Sequence, residues 1–128
     1  MRTRWTVRVD DLRTRLPLGG SAARATLEPV SVSVVVNGLA PDAPDGREEC
    51  IDLEPLCHWI TESWPQTAPT PVLEARVNEL LARVFDADRR VQDAWVGVYR
   101  ESAAGGARRL GVERQASRLQ FQQQRQRS

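Results

Sequence analysis

The sequence predicts an α+β fold, in which a four-stranded antiparallel sheet is covered on one face by two helices. Four segments alternate apolar and polar residues, as half-buried strands do, and two others repeat apolar residues at helical spacing. The segments follow one another as strand, strand, helix, helix, strand, strand. An antiparallel sheet with helices packed on one face is the simplest arrangement in which this order buries its apolar surfaces.

The first two strands are predicted over residues 4–9 and 28–37. Trp5, Val7 and Val9 share one face of the first strand. The second is the clearest strand in the chain, because four alternating valines share one of its faces: Val30, Val32, Val34 and Val36. Proline, glycine and serine interrupt the pattern between these strands, so a loop or a distorted hairpin connection is predicted over residues 10–26.

Two helices are predicted between the second and third strands. Asp52 is placed to cap the first helix, which runs from about Leu53 to Trp64. Thr70 is placed to cap the second, with Pro71 at its first position, and that helix ends near Phe85. Each helix carries an apolar stripe that can face the sheet.

Two further strands are predicted over residues 94–100 and 108–114, and they complete a domain that spans residues 1–114. From Gln115 onward the chain is rich in glutamine and arginine, and its large apolar residues are only Leu119 and Phe121. Such a composition buries little surface, so residues 115–128 are predicted to form a disordered tail.

Composition excludes several classes of protein. Eighteen basic and 17 acidic residues leave a net charge of +1, which favours neither nucleic acid nor an anionic membrane as a partner. Cys50 and Cys57 lack both a zinc-site spacing and the number needed for a disulfide framework. No apolar run suits a signal peptide or a membrane span. These features predict a cytoplasmic protein.

Four stretches of the chain resemble the motifs of one known family. Ile51-Asp52-Leu53 and the residues after it resemble a stretch in which an aspartate precedes a tyrosine that opens the first helix. Leu73-Glu74 resembles a Leu-Ile-Glu start of the second helix. The strand through Tyr99-Arg100 is similar to one that ends in Lys-Pro-x-Ala, and Glu28-Pro29-Val30 is similar to a Gln-Pro-Val before the second strand. In their order and spacing, these stretches resemble the dihydroneopterin aldolase and epimerase family, which has the tunnelling fold.

The resemblance implies an activity and an assembly. Dihydroneopterin aldolases cleave the side chain of 7,8-dihydroneopterin to give 6-hydroxymethyl-7,8-dihydropterin and glycolaldehyde, a step of folate biosynthesis, and related members epimerise the side chain. It further implies a homotetramer or homo-octamer with active sites between subunits, a pterin as ligand, and no metal or organic cofactor. Ring assembly agrees with the two open sheet edges, which are commonly closed by another subunit.

Glu74 is the main candidate for ligand binding, because the matching family glutamate holds the pterin. A carboxylate can accept two parallel N–H bonds, as it does from a guanidinium group. The resemblance also implies that the backbone of Leu73 contributes to pterin binding. The alternative is that Glu74 is a helix-start residue favoured by the helix dipole and that Leu73 belongs to the core.

The residues that perform the family's proton transfers differ in this chain. It contains no lysine, and Arg100 occupies the position of the family's general base. A guanidinium keeps its proton, with a pKa above about 12, so Arg100 is expected to orient a hydroxyl or stabilise an oxyanion, or else to be a solvated residue at a strand end. Leu53 replaces the family tyrosine and, by the resemblance, is expected to lie in the substrate-binding site. Residues 12–27 lack the acid that the family carries before its second strand.

Two other titratable residues are weaker candidates. Tyr99 is the only tyrosine, and strand alternation directs it away from the face of Arg100. His58 is the only histidine, and its place off the apolar stripe predicts an exposed helix residue.

Three hypotheses about function follow. The chain is a divergent pterin aldolase or epimerase, a non-catalytic pterin-binding protein, or an assembly module whose sheet edges and Arg/Gln tail bind another macromolecule. Retention of Glu74 favours the first two hypotheses, and the replaced lysine and tyrosine leave turnover open.

Overall fold

The computed structural model describes residues 1–19, 25–101, 106 and 109–127, and its strands form one antiparallel sheet of order β1-β2-β3-β4. The strands are β1 (Arg2–Leu18), β2 (Thr26–Pro41), β3 (Val91–Arg100) and β4 (Leu110–Ser117). The α-helices are α1 (Glu54–His58), α2 (Leu73–Ala87) and α3 (Arg118–Arg127). The predicted α+β class, an antiparallel sheet with helices, is therefore confirmed.

The core lies between one face of the sheet and the helices. The four alternating valines of β2, from Val30 to Val36, have no exposed surface, and Val96 and Val98 of β3 share their face. The apolar stripe of α2 is buried in the same cluster, through Val77, Leu80, Leu81 and Val84. This segregation follows from the two periodicities in the sequence, two residues in strands and 3.6 in helices.

Strand β1 is longer than predicted, because residues 10–18 continue it instead of forming a loop. The pairing register with β2 shifts between Val9 and Leu12, and Asp11 has a φ of 54°, in the left-handed region that aspartate tolerates better than most residues. This bulge resets the alternation, so that Leu16 and Leu18 are buried. Residues 20–24 of the predicted connection lie outside the described part of the chain.

The first helical segment agrees with the prediction in extent but not in regularity. Helix α1 continues as a π-helical turn over Trp59–Ser63 and a 3₁₀ turn over Trp64–Gln66. The N-cap residue is Leu53, without a side-chain capping bond, and not the predicted Asp52; Asp52 lies one residue earlier, where its Oδ1 atom accepts a hydrogen bond from the Glu54 amide at 3.0 Å. The rings of Trp59 and Trp64 stack with centroids 5.0 Å apart.

Helix α2 begins later than predicted, and Thr70 does not cap it. The residue before the helix is Val72, in an extended conformation, and no capping hydrogen bond from a side chain is present there. Thr70 pairs instead with the end of β1, where its carbonyl accepts a hydrogen bond from the Gly19 amide at 3.0 Å. This pairing keeps the chain extended beyond the predicted helix start.

The predicted tail is ordered over residues 115–127, where β4 ends at Ser117 and α3 follows. Phe121 is buried against Phe85, with ring centroids 5.3 Å apart. The Arg118 guanidinium donates hydrogen bonds to three carbonyl oxygens at the end of α2 and the start of β3, those of Phe85, Asp88 and Val91. None of the helices in the described ranges is long and apolar enough to cross a membrane.

Candidate functional site

One end of the sheet brings together most of the predicted site residues. Arg100 is the last residue of β3 and pairs with Val30 of β2. Helix α2 leads through a short connection into the start of β3, so its own start lies at the end of the sheet where Arg100 lies. A hydrogen bond of 2.5 Å from Arg114 of β4 to Asn78 of α2 shows which part of the helix lies over which part of the sheet. Glu74 lies one helical turn before Asn78, towards the Arg100 end.

Arg100 forms an ion pair with Glu28. The Arg100 Nη2 and Glu28 Oε2 atoms are 3.4 Å apart, and their side chains are 35% and 33% exposed. Arg100 faces the helices together with Val96 and Val98, as strand alternation predicted. Its Nε atom is buried and has no hydrogen-bond partner among the described residues. The pair therefore combines a fixed cation with unused donors and a carboxylate that solvent can reach.

Glu28 is a candidate that the sequence prediction missed as a site residue. The expected acid was sought within residues 12–27, and Glu28 follows that range directly. A signal was available, because Glu28 precedes Val30 by two residues and therefore shares its face of β2. The cross-strand pairing of Val30 with Arg100 then brings the two charges together.

Glu74 is exposed in the first turn of α2, next to the buried Leu73. Its carboxylate makes no hydrogen bond or ion pair with any residue that the structure describes. In the single chain, the Glu74 side chain faces solvent. Glu74 is thus free to accept hydrogen bonds from a ligand.

Leu53 lies far from this group of residues. It is buried in the core just after Ile51, whose side chain contacts the backbone at Gly38. Gly38 pairs with Val91, the first residue of β3, whereas Arg100 is the last. Nine steps along a strand span roughly 30 Å, at about 3.3 Å per residue. A single chain therefore does not bring Leu53 to Arg100 and Glu74.

An apolar cavity, which the sequence did not predict, opens near Leu53. It has a volume of about 180 Å³ and is lined by Trp5, Val7, Ala40, Pro41 and Ile51, among others. The indole N–H of Trp5 donates a hydrogen bond of 3.1 Å to the Pro41 carbonyl, which fixes one wall. The cavity and the Arg100–Glu28 pair lie at opposite ends of the sheet.

Comparison with solved structures identifies the fold. The chain superimposes on a protein assigned as dihydroneopterin aldolase from Vibrio cholerae with a TM-score of 0.74 and 14% sequence identity, over 91% of this chain and 99% of that one. The chain has the fold of dihydroneopterin aldolase. No protein-family model matches the sequence, and no curated protein matches it.

Two ligand-bound structures share the dihydroneopterin aldolase fold with this chain. The Escherichia coli dihydroneopterin aldolase in complex with neopterin has a TM-score of 0.71 at 13% identity, over 88% of this chain and 99% of that chain. The enzyme from Burkholderia thailandensis bound to guanine has a TM-score of 0.70 at 13% identity, over 90% of this chain and 92% of that chain. The resemblance to dihydroneopterin aldolase expected from the sequence is confirmed at the level of the fold.

In this version of the dihydroneopterin aldolase fold, the side chains of Tyr99 and Arg100 lie on opposite faces of β3. Tyr99 faces away from the helices, as predicted, and its hydroxyl donates to Glu113. Burial, together with this hydrogen bond, raises the pKa of Tyr99 to about 12, so it stays protonated near neutral pH. His58 is exposed, as predicted, with its Nδ1 atom 3.7 Å from Glu62.

Proposed function

We propose that this protein binds a dihydropterin and that the Glu74 carboxylate anchors the pterin ring. The observation that carries the proposal is that this exposed carboxylate has no partner among the described residues and lies at the same end of the sheet as the Arg100–Glu28 pair. Pterin and guanine share a ring N–H beside an exocyclic amino group. Two parallel N–H bonds to one carboxylate match that arrangement.

The binding site is proposed to form between two copies of the chain in a homotetramer or homo-octamer. Leu53 lies near the start of β3, and Arg100 is the last residue of that strand. Only a second copy of the chain can therefore bring its Leu53 close to the Arg100 of the first copy. The outer strands β1 and β4 offer the free edges that such pairing needs. Strand β4 has eight residues and β1 has 17, which leaves room for an offset register. The apolar cavity beside Ile51 would then face the ligand held by the neighbouring copy.

Within this site, the Arg100–Glu28 pair is proposed to act on the pterin side chain. Arg100 remains protonated and can stabilise oxygen charge that develops when the side chain is cleaved or epimerised. A proton must be taken by another group, and Glu28 is the carboxylate beside Arg100. The proposed activity is therefore that of a divergent dihydroneopterin aldolase or epimerase in the folate and pterin pathway.

A second candidate function is pterin binding without turnover. The observation in its favour is Leu53, which stands at the family tyrosine position and is a buried apolar residue unable to transfer a proton. In this case Glu74 keeps its role and the Arg100–Glu28 pair only positions the side chain.

Incubation with 7,8-dihydroneopterin and its epimer tests these two functions. After oxidation, the pterins are separated by chromatography with fluorescence detection. We expect 6-hydroxymethylpterin or the epimer to appear with the wild-type protein and to be absent with Glu74→Ala and Glu28→Gln. Unchanged substrate, together with measurable pterin binding, would favour the non-catalytic candidate. Absence of both turnover and binding would contradict the proposal.

A further inference from the structure

Helix α2 begins without the side-chain cap that commonly holds the start of a helix. Its N-cap residue is Val72, which has no capping atom, and the Thr70 hydroxyl is buried without a partner among the described residues. The first four amides of any helix lack partners within the helix, and an uncapped start frays easily. Glu74 lies in this first turn, so fraying would move the proposed anchor.

The buried guanidinium of Arg76 supplies the missing restraint. Arg76 has no exposed surface, and four of its N–H groups donate hydrogen bonds. The Nη1 atom donates to Thr67 Oγ1 at 2.7 Å and to Glu79 Oε1 at 2.9 Å. The Nη2 atom donates to the carbonyls of Pro17 at 2.7 Å and Ala68 at 3.1 Å. These acceptors tie α2 to the end of β1 and to the segment before the helix.

A cation in the core is costly unless it is paired and hydrogen-bonded, and an apolar side chain would fill the same space more cheaply. What an arginine adds is geometry, because its planar fork directs several donors at fixed angles, which a lysine cannot do. Glu79, which pairs with Arg76, also accepts a hydrogen bond of 2.8 Å from the Trp64 indole. The guanidinium is therefore held in one orientation, and the start of α2 with it.

We propose that Arg76 is a positioning residue for the pterin site. It holds the first turn of α2 against β1 and residues 64–70, so that the Leu73 backbone and the Glu74 carboxylate present one fixed arrangement to the ligand. This inference rests on the proposed function of Glu74. Because the Arg76 side chain is buried, it acts on the ligand only through the residues that it holds in place.

Arg118 provides a matched control at the other end of the same helix. Its guanidinium also bonds backbone carbonyls, those of Phe85, Asp88 and Val91, at 2.8–3.0 Å. Phe85 follows Glu74 by eleven residues, which is roughly 17 Å along the helix. Arg76→Lys and Arg118→Lys thus remove the same kind of interaction, and only the first lies next to Glu74.

The test titrates the purified protein with neopterin, following the pterin fluorescence, while thermal unfolding reports global stability. We expect Arg76→Lys to weaken neopterin binding at least about tenfold, and Arg118→Lys to leave affinity within about twofold although it also lowers the unfolding midpoint. Thr67→Val removes a single acceptor of Arg76, is expected to fold, and should weaken binding about threefold.

Amide hydrogen exchange reports on the helix start without a ligand. The amides of residues 77–80 bond to the carbonyls of the first turn, and they should exchange faster in Arg76→Lys, whereas those of residues 84–87 should not. Wild-type affinity in both Arg76→Lys and Thr67→Val, or an equal loss in Arg118→Lys, would overturn the proposal. If the wild type binds no neopterin, the proposed function fails, and amide exchange alone tests the positioning role of Arg76. Unchanged exchange rates at residues 77–80 in Arg76→Lys would overturn that role, whereas faster rates confined to those residues would support it.

Discussion

Arg100 and Glu28 form an ion pair between adjacent strands, with Nη2 and Oε2 atoms 3.4 Å apart at the end of the sheet where α2 begins. The pair stands where the resemblance to dihydroneopterin aldolase leads one to expect a lysine. Its cation cannot release a proton near neutral pH, and its carboxylate can accept one. The consequences of this difference can be measured.

Arg100→Lys should raise aldolase activity, because an amine beside a carboxylate can both hold a charge and exchange a proton. We expect a gain of at least about tenfold in the rate of hydroxymethylpterin formation, a change in barrier of about 1.4 kcal/mol. The rate is measured by chromatography of oxidised pterins, with Glu74→Ala/Arg100→Lys as the control that should lose the gain. No gain in Arg100→Lys would indicate that the absent tyrosine at Leu53 limits the reaction.

Variants at the two ends of the sheet should complement each other if the site lies between copies. Glu74→Ala removes the anchor, and Trp5→Asp places a charge in the apolar cavity, so each homo-oligomer should bind neopterin weakly. Mixed oligomers formed from equal amounts should recover roughly a quarter of the wild-type sites, because each interface draws its two halves independently. Recovery is measured by titration with neopterin. Absence of any recovery in verified mixed oligomers would contradict a shared site.

Tyr99 should titrate well above an ordinary tyrosine. Burial and Glu113 raise its pKa to about 12, and as the only tyrosine it gives a single tyrosinate absorbance transition. A pKa raised in the folded state means that the associated stability is fully present below about pH 10, the unfolded value, and is lost as pH rises towards 12. Glu113→Gln should lower the midpoint. A wild-type midpoint near 10 would refute the buried hydrogen bond.

Phe121→Ala should destabilise the fold, because Phe121 attaches α3 to Phe85 at the end of α2. Truncation of a buried phenylalanine costs about 3–5 kcal/mol, and we expect the lower part of that range for a helix near the chain terminus. Leu119→Ala is the control, since Leu119 is 65% exposed and its truncation should change stability by less than about 0.5 kcal/mol. Urea unfolding measures both. Equal stability of the two variants would show that α3 is not docked.

The sequence predicted the elements whose periodicity is uninterrupted and missed those in which one residue changes the pattern. The valines of β2 identified the strand and its buried face. In β1, the proline, glycine and serine residues after position 16 led to the prediction of a loop, and the bulge at Asp11 shifts the alternation by which residues 10–18 continue the strand. In the C-terminal segment, Phe121 is a single apolar residue in a polar stretch, and its contact with Phe85 depends on tertiary packing that local composition does not encode.

The candidate site was predicted in part for a similar reason. Arg100 was assigned to the correct face of its strand, because a period of two is a local property. The partner Glu28 depends on the register between β2 and β3, which the local pattern left open. Thr70 failed as a cap because its backbone pairs with Leu18, far away in the sequence. The distance between Leu53 and Arg100 likewise follows from topology.

Direct titration of the wild-type protein and of Glu74→Gln with neopterin tests the central claim, with Glu62→Gln as a control for an exposed helix carboxylate. We expect that the wild type binds, that Glu62→Gln binds equally, and that Glu74→Gln loses about 1.5–3 kcal/mol of binding free energy, the usual contribution of a hydrogen bond to a charged group. The unfolding midpoint should be the same in all three. Equal neopterin affinity of Glu74→Gln and the wild type would contradict the assignment of Glu74 as the pterin anchor.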